Sequence, residues 1–394
     1  MMICSPWPAF TAEEASAVQE TLLSNRVNYW TGEHCREFEK EFAAYVGTTH
    51  AVALANGTVA LDVALRALAI GPGDDVIVTP RTFIASVSCV VNAGARPVFA
   101  DVCPESGNLT AATIERALTP RTRAVICVHL AGWPCDMDPI MALAARHGLK
   151  VIEDCAQAHG ARYKGKSVGS LGHIGAWSFC QDKIMTTGGE GGMVTTNDAS
   201  LWSAMWSFKD HGKDWNAVYQ TQHPPGFRWV VSSFGTNWRM LEMQGVIGRV
   251  QLRWLDDWIA TRTRNAKRIL DTCAQFDSLH VPTGWAQNDG SVHAFYKSYV
   301  HVRPERLKSG WDRDRIIAAL GEQGVPCFQG SCSEVYLEAA FDDTGWRPQD
   351  RLPVARLLGE ISLMFLVHPT LSQEEVQHTC DCISTVLTEA TAPA

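Results

Sequence analysis

The chain has 394 residues, a formal net charge of -8 at pH 7 and a hydrophobic content of 46%. The length predicts two or three domains, and the composition is globular rather than disordered or collagen-like. The sequence has no long basic run that would indicate a nucleic-acid partner and no apolar run long enough to span a membrane. The 13 scattered cysteines lack metal-binding spacing, and the N-terminus lacks the features of a signal peptide. We therefore expect a cytoplasmic protein with reduced thiols and no metal site.

Residues 50 to 200 alternate short apolar runs with helical segments. Such alternation predicts an α/β fold with a mainly parallel sheet covered by helices on both faces. One predicted helix contains DPIMALAARHG, with Asp138 as its N-cap and Gly148 as its stop. The predicted strands are HAVALAN, DDVIVTP, ARPVFADV, RAVICVHL, LKVIEDC, GAWSFC and GGMVTTN.

The sequence changes character after residue 200. Residues 206–235 are rich in Trp, His, Pro and Gly and predict a long ordered loop, whereas residues 239–272 predict one long amphipathic helix. The remainder predicts a strand in FYKSYVHV and helices in DRDRIIAALGEQG and SQEEVQHTCDCISTVLTEA. We expect a large domain over residues 1–250 and a smaller α+β domain over residues 251–394.

Two glycine-rich motifs resemble nucleotide-binding signatures but lack their context. Residues 160–167 read GARYKGKS, which fits a P-loop, yet glycines follow where a phosphate-binding helix must begin. Residues 188–192 read GGEGG and precede a predicted strand, whereas a dinucleotide fingerprint opens a helix. We predict that the first motif forms a surface turn and that the second motif is not a dinucleotide-binding fingerprint.

Three other segments follow predicted strands and carry chemically useful groups. Asn56, Gly57 and Thr58 open a helix, where free N–H groups bind phosphate, although Asn and Thr are also ordinary caps. Asp154 ends a strand and can hold a proton on a heterocyclic nitrogen, or it can cap a helix in a capping box with Gln157.

The third segment, SFCQDKIMTTGGEGG, delivers Ser178 and Lys183. A lysine beside a crevice can form a Schiff base, although most lysines simply lie on the surface. Together the segments provide a phosphate cradle, an acid for a ring nitrogen and an amine for an aldehyde, which are the requirements of pyridoxal 5'-phosphate (PLP). Phe83, in the loop after DDVIVTP, adds an aromatic face for stacking on a pyridine ring.

The order of these motifs resembles the DegT/DnrJ/StrS family of PLP-dependent nucleotide-sugar aminotransferases. The matching segments cover nearly the whole chain and include YWTGEHCREFEKEFAAYVG, ANGTVALDVAL, VIEDCAQAHGA, SFCQDKIMTTGGEGG, GTNWRMLEMQGVIG and LVHPTLSQEEV. The resemblance implies the aspartate-aminotransferase type of fold (PLP fold type I), with a seven-stranded sheet in the large domain. It also implies a homodimer with shared active sites.

The resemblance assigns roles position by position. Lys183 matches the Schiff-base lysine, and Asp154 matches the partner of the pyridinium nitrogen. Gln157 matches a residue near the ring hydroxyl, and Phe83 matches the stacking aromatic. The phosphate ligands are matched by Gly57, Thr58, Ser178 and, from the other subunit, Asn237. We also expect substrate contacts from Trp30, Glu190 and Tyr336.

The implied reaction transfers an amino group from L-glutamate to a keto-sugar nucleotide in amino-sugar or polysaccharide biosynthesis. Glu190, before the paired glycines, favours a 4-keto-6-deoxy sugar over a 3-keto sugar, which remains the alternative. A cofactor-dependent sugar dehydratase is a second alternative, but family members with that chemistry carry His at the position of Lys183. A non-enzymatic regulator is a third, and it would be expected to lose Lys183 or Asp154.

Overall fold

A computed structural model describes residues 5–284 and 289–392. Over these residues the chain forms α-helices of 5 to 32 residues, several of which alternate with strands in the first half. They are α1 (Ala12–Leu23), α2 (His34–Val46), α3 (Gly57–Ala67), α4 (Ala85–Asn92), α5 (Ala111–Ala117), α6 (Met137–His147), α7 (Ala199–Lys209), α8 (Trp215–Tyr219), α9 (Glu242–Cys273), α10 (Arg313–Glu322), α11 (Pro353–Ile361) and α12 (Gln373–Ala390).

The strands form one large sheet, one smaller sheet and a two-stranded hairpin. They are β1 (His50–Leu54), β2 (Asp75–Val78), β3 (Arg96–Phe99), β4 (Thr122–Val128), β5 (Lys150–Asp154), β6 (Arg162–Tyr163), β7 (Lys166–Ser167), β8 (Ile174–Ser178), β9 (Gly192–Thr196), β10 (Leu279–His280), β11 (Ser298–Val302), β12 (Cys327–Phe328) and β13 (Ser362–Phe365).

The seven runs predicted as strands form the large sheet, in the order β1-β9-β8-β5-β4-β2-β3. Strands β8, β5, β4, β2 and β3 pair in parallel, whereas β9 runs antiparallel to both β1 and β8. The prediction of a mainly parallel seven-stranded α/β sheet is confirmed. Because the parallel strands point the same way, the loops that follow β1, β2, β4, β5 and β8 meet at one edge of the sheet.

Alternate residues of the central strands enter different cores. Val76 and Val78 of β2 belong to the core formed with α3 and α4, whereas Ile77 between them belongs to the core formed with α5 and α6. All three side chains are completely buried. Successive side chains of a strand point to opposite faces, so two helical layers bury a run that is apolar at every position.

The predicted long helix is confirmed as α9 (Glu242–Cys273). Two glycines in its first turns allow α2 to approach closely. A Cβ atom on Gly245 would lie 2.9 Å from the backbone N of Cys35, and one on Gly248 would lie 2.6 Å from the Phe38 ring. Any larger side chain at either position would push the two helices apart.

A second core lies around the four-stranded antiparallel sheet β10-β11-β13-β12. Leu255 and Ile259 in the middle of α9 pack with the large sheet, whereas Ile269 and Leu270 pack in the second core with α10 and α12. The helix therefore runs without interruption through residue 250 and contributes to both units. A domain boundary at residue 250 stays a prediction.

Three local predictions can be compared with the structure. The P-loop-like segment forms the β6–β7 hairpin, as expected of a turn. Helix α6 ends at Gly148 in the left-handed conformation, as predicted, but its N-cap position is Asp136, and the Asp138 carboxylate instead pairs with Lys164 at 2.6 Å. The region 206–235 is not all loop, because α7 extends to Lys209 and α8 covers Trp215–Tyr219.

Of the helices in residues 5–284 and 289–392, none combines the length and the apolar character required to cross a membrane.

Candidate active site

A cavity of about 650 Å³ lies at the carboxyl edge of the large sheet. Its size is within the range of pockets that hold cofactors and small substrates. Residues from the ends of β1, β5 and β8 and from the loops after β2 and β8 line it. Eight of the residues predicted from the sequence are among them, namely Gly57, Thr58, Phe83, Asp154, Gln157, Ser178, Lys183 and Glu190.

The first turn of α3 forms one end of the cavity. The side chain of Asn56 caps the helix by accepting a hydrogen bond from Val59 N at 3.0 Å. The N–H groups of Gly57 and Thr58 have no acceptor within the helix, as in any first turn, and the positive end of the helix dipole lies there. The capping role of Asn56 and the predicted phosphate cradle therefore coexist.

Ser178 at the end of β8 lies directly against this turn. A Cβ atom on Gly57 would lie 2.5 Å from the Ser178 Cβ and 2.9 Å from its Oγ, so glycine is the residue that fits. Without a side chain at position 57, the first turn of α3 lies against Ser178, and Gly57, Thr58 and Ser178 together line this end of the cavity. Such a cradle fits a phosphate group.

Asp154 lies at the end of β5 and is 5% exposed. Its Oδ2 accepts a hydrogen bond from Ser86 Oγ at 2.7 Å, and its Oδ1 accepts one from Ala156 N at 3.1 Å. The hydroxyl of Thr82 contacts that of Ser86 at 2.8 Å. The carboxylate is therefore held in one orientation at the cavity wall, which suits a group that must keep a proton on a ring nitrogen.

The residue pair Thr82 and Ser86 was missed in the sequence. A signal existed, because two hydroxyl residues four positions apart lie on one face of a helical turn, directly after a strand end. No local pattern, however, indicated that this face would meet Asp154, which is 68 residues away along the chain.

Gln157 is nearly buried and fixes the next loop of the sheet edge. Its Oε1 accepts a hydrogen bond from Ala131 N at 2.8 Å. Ala131 has a φ of 56°, a conformation that is unfavourable for a residue with a Cβ atom. The capping box considered for Asp154 and Gln157 is not formed, since β5 is followed by a turn rather than a helix.

Lys183 reaches the cavity from the loop between β8 and β9, and 16% of its side chain is exposed. Its Nζ lies 3.5 Å from Asp182 Oδ1 and 5.2 Å from the centre of the Tyr296 ring. Its backbone carbonyl accepts a hydrogen bond from Trp7 Nε1 at 2.8 Å. The N-terminal segment and the chain before β11 thus hold the lysine loop from two sides.

Asp182 accepts a hydrogen bond from the Tyr296 hydroxyl. Burial opposes ionisation of this carboxyl, but Lys183, the Tyr296 hydrogen bond and Lys297 outweigh it and lower its pKa. Burial, followed by the charge of Asp182, raises the pKa of Tyr296 well above its ordinary value. Asp182 and Tyr296 are further residues that the sequence reasoning missed, since Tyr296 joins the site only through the tertiary fold.

Phe83 is the aromatic side chain that stands open at the cavity, with 67% of its surface exposed. Exposure of a phenylalanine to this extent is unfavourable in the free chain. A planar ring stacked on Phe83 would cover this apolar face. The residues present therefore fit a phosphorylated pyridine aldehyde.

Glu190 lines the cavity with an exposed side chain, and its backbone carbonyl is held by Thr187 Oγ1 at 2.6 Å and Gln244 Nε2 at 2.7 Å. Asn237 lies outside the cavity of its own chain and is exposed. Its Oδ1 accepts only a 3.5 Å bond from Arg239 N among the described residues. Since α9 begins at Glu242, Asn237 does not cap that helix.

Trp30 and Tyr336 lie away from this cavity. The Trp30 ring stacks on Tyr219, with Lys213 Nζ 3.9 Å from its centre. Tyr336 is 1% exposed, donates a hydrogen bond to Glu334 and belongs to the core around α3 and α4. Both side chains pack within the chain and outside this cavity, and substrate contact by either one stays a prediction.

A mostly parallel sheet whose carboxyl edge carries a helix terminus, a buried aspartate and a lysine loop is the architecture of PLP-dependent enzymes of fold type I. The chain belongs to the DegT/DnrJ/EryC1/StrS aminotransferase family, whose model matches residues 8–384. It is therefore a PLP-dependent aminotransferase, and the resemblance seen in the sequence is confirmed.

Similar proteins act on nucleotide sugars. The chain is 48% identical over 357 residues to GDP-perosamine synthase of Caulobacter vibrioides, covering 89% of each chain. It is 35% identical to dTDP-3-amino-3,4,6-trideoxy-alpha-D-glucose transaminase of Streptomyces venezuelae, covering 94% of this chain and 91% of the other. The crystal structure of an aminotransferase from Psychrobacter cryohalolentis superposes with a TM-score of 0.96 at 62% identity, covering 98% and 99% of the two chains. The relatives establish sugar amination as the class of reaction.

Proposed function

We propose that the cavity binds PLP, with its phosphate on the first turn of α3 and its ring against Phe83. The observation that carries this proposal is that residues from three separate strand ends line one cavity. These residues are Gly57, Ser178, Asp154 and Lys183. When bound, PLP supplies an aldehyde that reacts with amines and a ring that withdraws electrons from a neighbouring carbon.

Residues of this chain have the other roles in the proposed reaction. Asp154, fixed by Ser86, keeps a proton on the ring nitrogen, and the cationic ring is the better electron acceptor. Lys183 provides the amine that anchors the cofactor, and it moves a proton when the amino donor has taken its place. Gln157, which lines the same cavity, would contact the ring near its hydroxyl.

The proposed acceptor is a keto-sugar nucleotide, and the proposed donor is L-glutamate. Glu190 lines the cavity and favours a 4-keto-6-deoxy sugar, as does the greater identity to GDP-perosamine synthase than to the 3-amino sugar transaminase. The 3-keto sugar is the second candidate, because the latter relative is also similar along nearly its whole length. Lys183 stands where sugar dehydratases of the family carry His, which argues against that chemistry.

We further propose a homodimer in which Asn237 reaches the cofactor phosphate of the partner subunit. Asn237 is exposed and is not among the residues that line the cavity of its own chain. The preceding loop also exposes Phe227, Trp229 and Phe234, with 78%, 84% and 95% of their surfaces free. An apolar loop of this kind is typical of a surface that a partner covers.

A turnover screen tests the reaction. The purified protein with PLP and L-glutamate is supplied with 4-keto-6-deoxy and 3-keto sugar nucleotides of each base, and products are identified by mass and NMR. We expect amination at C4. Amination only at C3 would select the second candidate, and loss of a hydroxyl without amination would select the dehydratase.

A further inference from the structure

A second, much smaller cavity lies between the large sheet and the second core. Its volume is about 30 Å³, enough for one or two atoms of the size of a water molecule. The residues that line it include Arg81, Gly107, Leu130, Ser298, Tyr299 and His301. It is separate from the proposed cofactor cavity, with which it shares none of its lining residues.

Arg81 is a buried cation with no carboxylate partner among the residues that the structure describes. Its side chain is 1% exposed, and it donates from Nη1 to Ser333 Oγ at 2.8 Å and from Nη2 to Ser362 Oγ at 2.9 Å. Its Cζ lies 5.4 Å from the centre of the Tyr299 ring. Within residues 5–284 and 289–392, no ion pair involves Arg81. A buried charge held by neutral groups alone is costly, because removing one ion from water without a counter-ion carries the full desolvation penalty.

The other charged and titratable groups near the cavity do not neutralise Arg81. Burial, followed by the charges of Arg81 and His280, lowers the pKa of His301 to about 3, so its ring is neutral at pH 7. Glu105 also lines the cavity, but its side chain is 45% exposed and its carboxylate pairs with His280 at 2.8 Å. Among the described residues, the positive charge of Arg81 is therefore uncompensated.

Two buried polar atoms at this cavity lack a hydrogen-bond partner in the described part of the chain, namely Arg81 Nε and Ser298 Oγ. The Nε atom lies 3.4 Å from the position that a Cβ on Gly107 would occupy, so it points to the side of Gly107, which lines the cavity. Buried donors are nearly always paired, and two unpaired donors at one cavity indicate a missing acceptor.

We propose that this cavity binds a small monovalent anion of the size of chloride, held by the Nε–H of Arg81 and the hydroxyl of Ser298. The anion supplies the missing acceptor for both donors and the missing counter-charge for the guanidinium. The small volume of the cavity excludes larger anions such as gluconate or a nucleotide phosphate.

The site is connected to the segment that delivers the proposed cofactor contacts. Thr82 and Phe83 follow Arg81 directly, and Thr82 N donates to Cys332 O at 3.1 Å. Anion binding therefore fixes the loop after β2 against the second core. We expect the main effect on stability, because the anion binds only where the folded chain brings Arg81 and Ser298 together.

The test compares sodium chloride with sodium gluconate at constant ionic strength in thermal unfolding of the full-length protein. For the wild type we expect a saturable rise in Tm with chloride, of about 2 °C at a concentration ten times the Kd. Ser298→Ala, which keeps the charge of Arg81, should move the response to higher chloride. Arg81→Gln should abolish it. Arg351→Gln, at an exposed arginine paired with Glu334, is the matched control and should retain it.

A direct measurement makes the proposal independent of whether Arg81→Gln folds. Crystals grown with bromide should show one anomalous peak in the cavity beside Arg81 Nε in the wild type and none in Ser298→Ala at the same concentration. Equal Tm values in chloride and gluconate would overturn the proposal. So would an unchanged chloride response in Ser298→Ala, or bromide peaks only at the protein surface.

Discussion

The hydroxyl of Ser86 donates a hydrogen bond of 2.7 Å to Oδ2 of Asp154, and both side chains are buried. This contact ties the first turn of α4 to the end of β5. Because Thr82 continues the chain of hydroxyls, the orientation of the acid depends on the same loop that carries Phe83. The proposed ring partner and the proposed stacking group are thus positioned together.

Ser86→Ala removes one of the two hydrogen bonds that fix the Asp154 carboxylate. We expect a rate about tenfold lower and weaker cofactor binding, since a hydrogen bond to a charged group contributes about 1.5–3 kcal/mol. The measurements are kcat and the cofactor Kd. Ser88→Ala, two residues further along α4, is the control and should leave both unchanged. If the two variants behave alike, the Ser86 contact has no role in the site.

Lys183→Ala removes the amine that the proposal places at the cofactor aldehyde. We expect turnover and the visible absorption band near 400–430 nm to disappear, while Tm of the protein without cofactor changes little because the side chain is partly exposed. Lys166→Ala, at an exposed lysine of β7, should retain both properties. Near-normal transamination by Lys183→Ala would refute the central assignment.

Asp154→Asn keeps the shape of the side chain but cannot hold a proton on the ring nitrogen by its charge. We expect the variant to bind cofactor and to lose activity by a factor of about one hundred or more. Cofactor content is measured by absorbance after gel filtration, and the rate is measured with saturating substrates. A rate within a factor of a few of the wild type would argue against the role.

Subunit exchange tests the shared site. Lys183→Ala and Asn237→Asp should each be inactive, the second because its charge repels the cofactor phosphate. After mixing and exchange, a mixed dimer has one site with both native residues, so activity should recover to about a quarter of the wild-type level. Light scattering should give twice 43.3 kDa. A monomer, or proven exchange without recovery, would contradict the proposal.

Acid sensitivity should depend on His159, which packs between Trp177 and Phe179 and is completely buried. Burial, followed by the charges of Lys183 and Arg262, lowers its pKa to about 3. Between pH 6.5 and about 3 the unfolded chain binds more protons than the native one, so the free energy of unfolding falls as the pH falls.

Lowering the pH from 7 to 5 should reduce the free energy of unfolding of both proteins. We therefore expect the reduction to be about 2 kcal/mol smaller for His159→Phe than for the wild type. Urea unfolding of the protein without cofactor at the two pH values measures the difference. His147→Gln, at an exposed histidine of α6, should show the pH dependence of the wild type. Identical pH dependence in His159→Phe would contradict the predicted neutral state of the buried ring.

The sequence by itself determined the seven strands, the long helix α9 and the segments that end at Asp154 and Lys183. Apolar runs, glycine stops and strand-end polar residues are local properties, and a parallel sheet places all strand ends at one edge. The tertiary structure alone decided which side chains meet there. Ser86 reaches Asp154, Tyr296 reaches Asp182 and Arg81 is buried against Ser333 and Ser362 through contacts between residues 68 to 281 positions apart. Tyr336 lies in a core rather than at the cavity for the same reason, since the packing of distant segments, and not the local pattern, determines which face of the chain is buried.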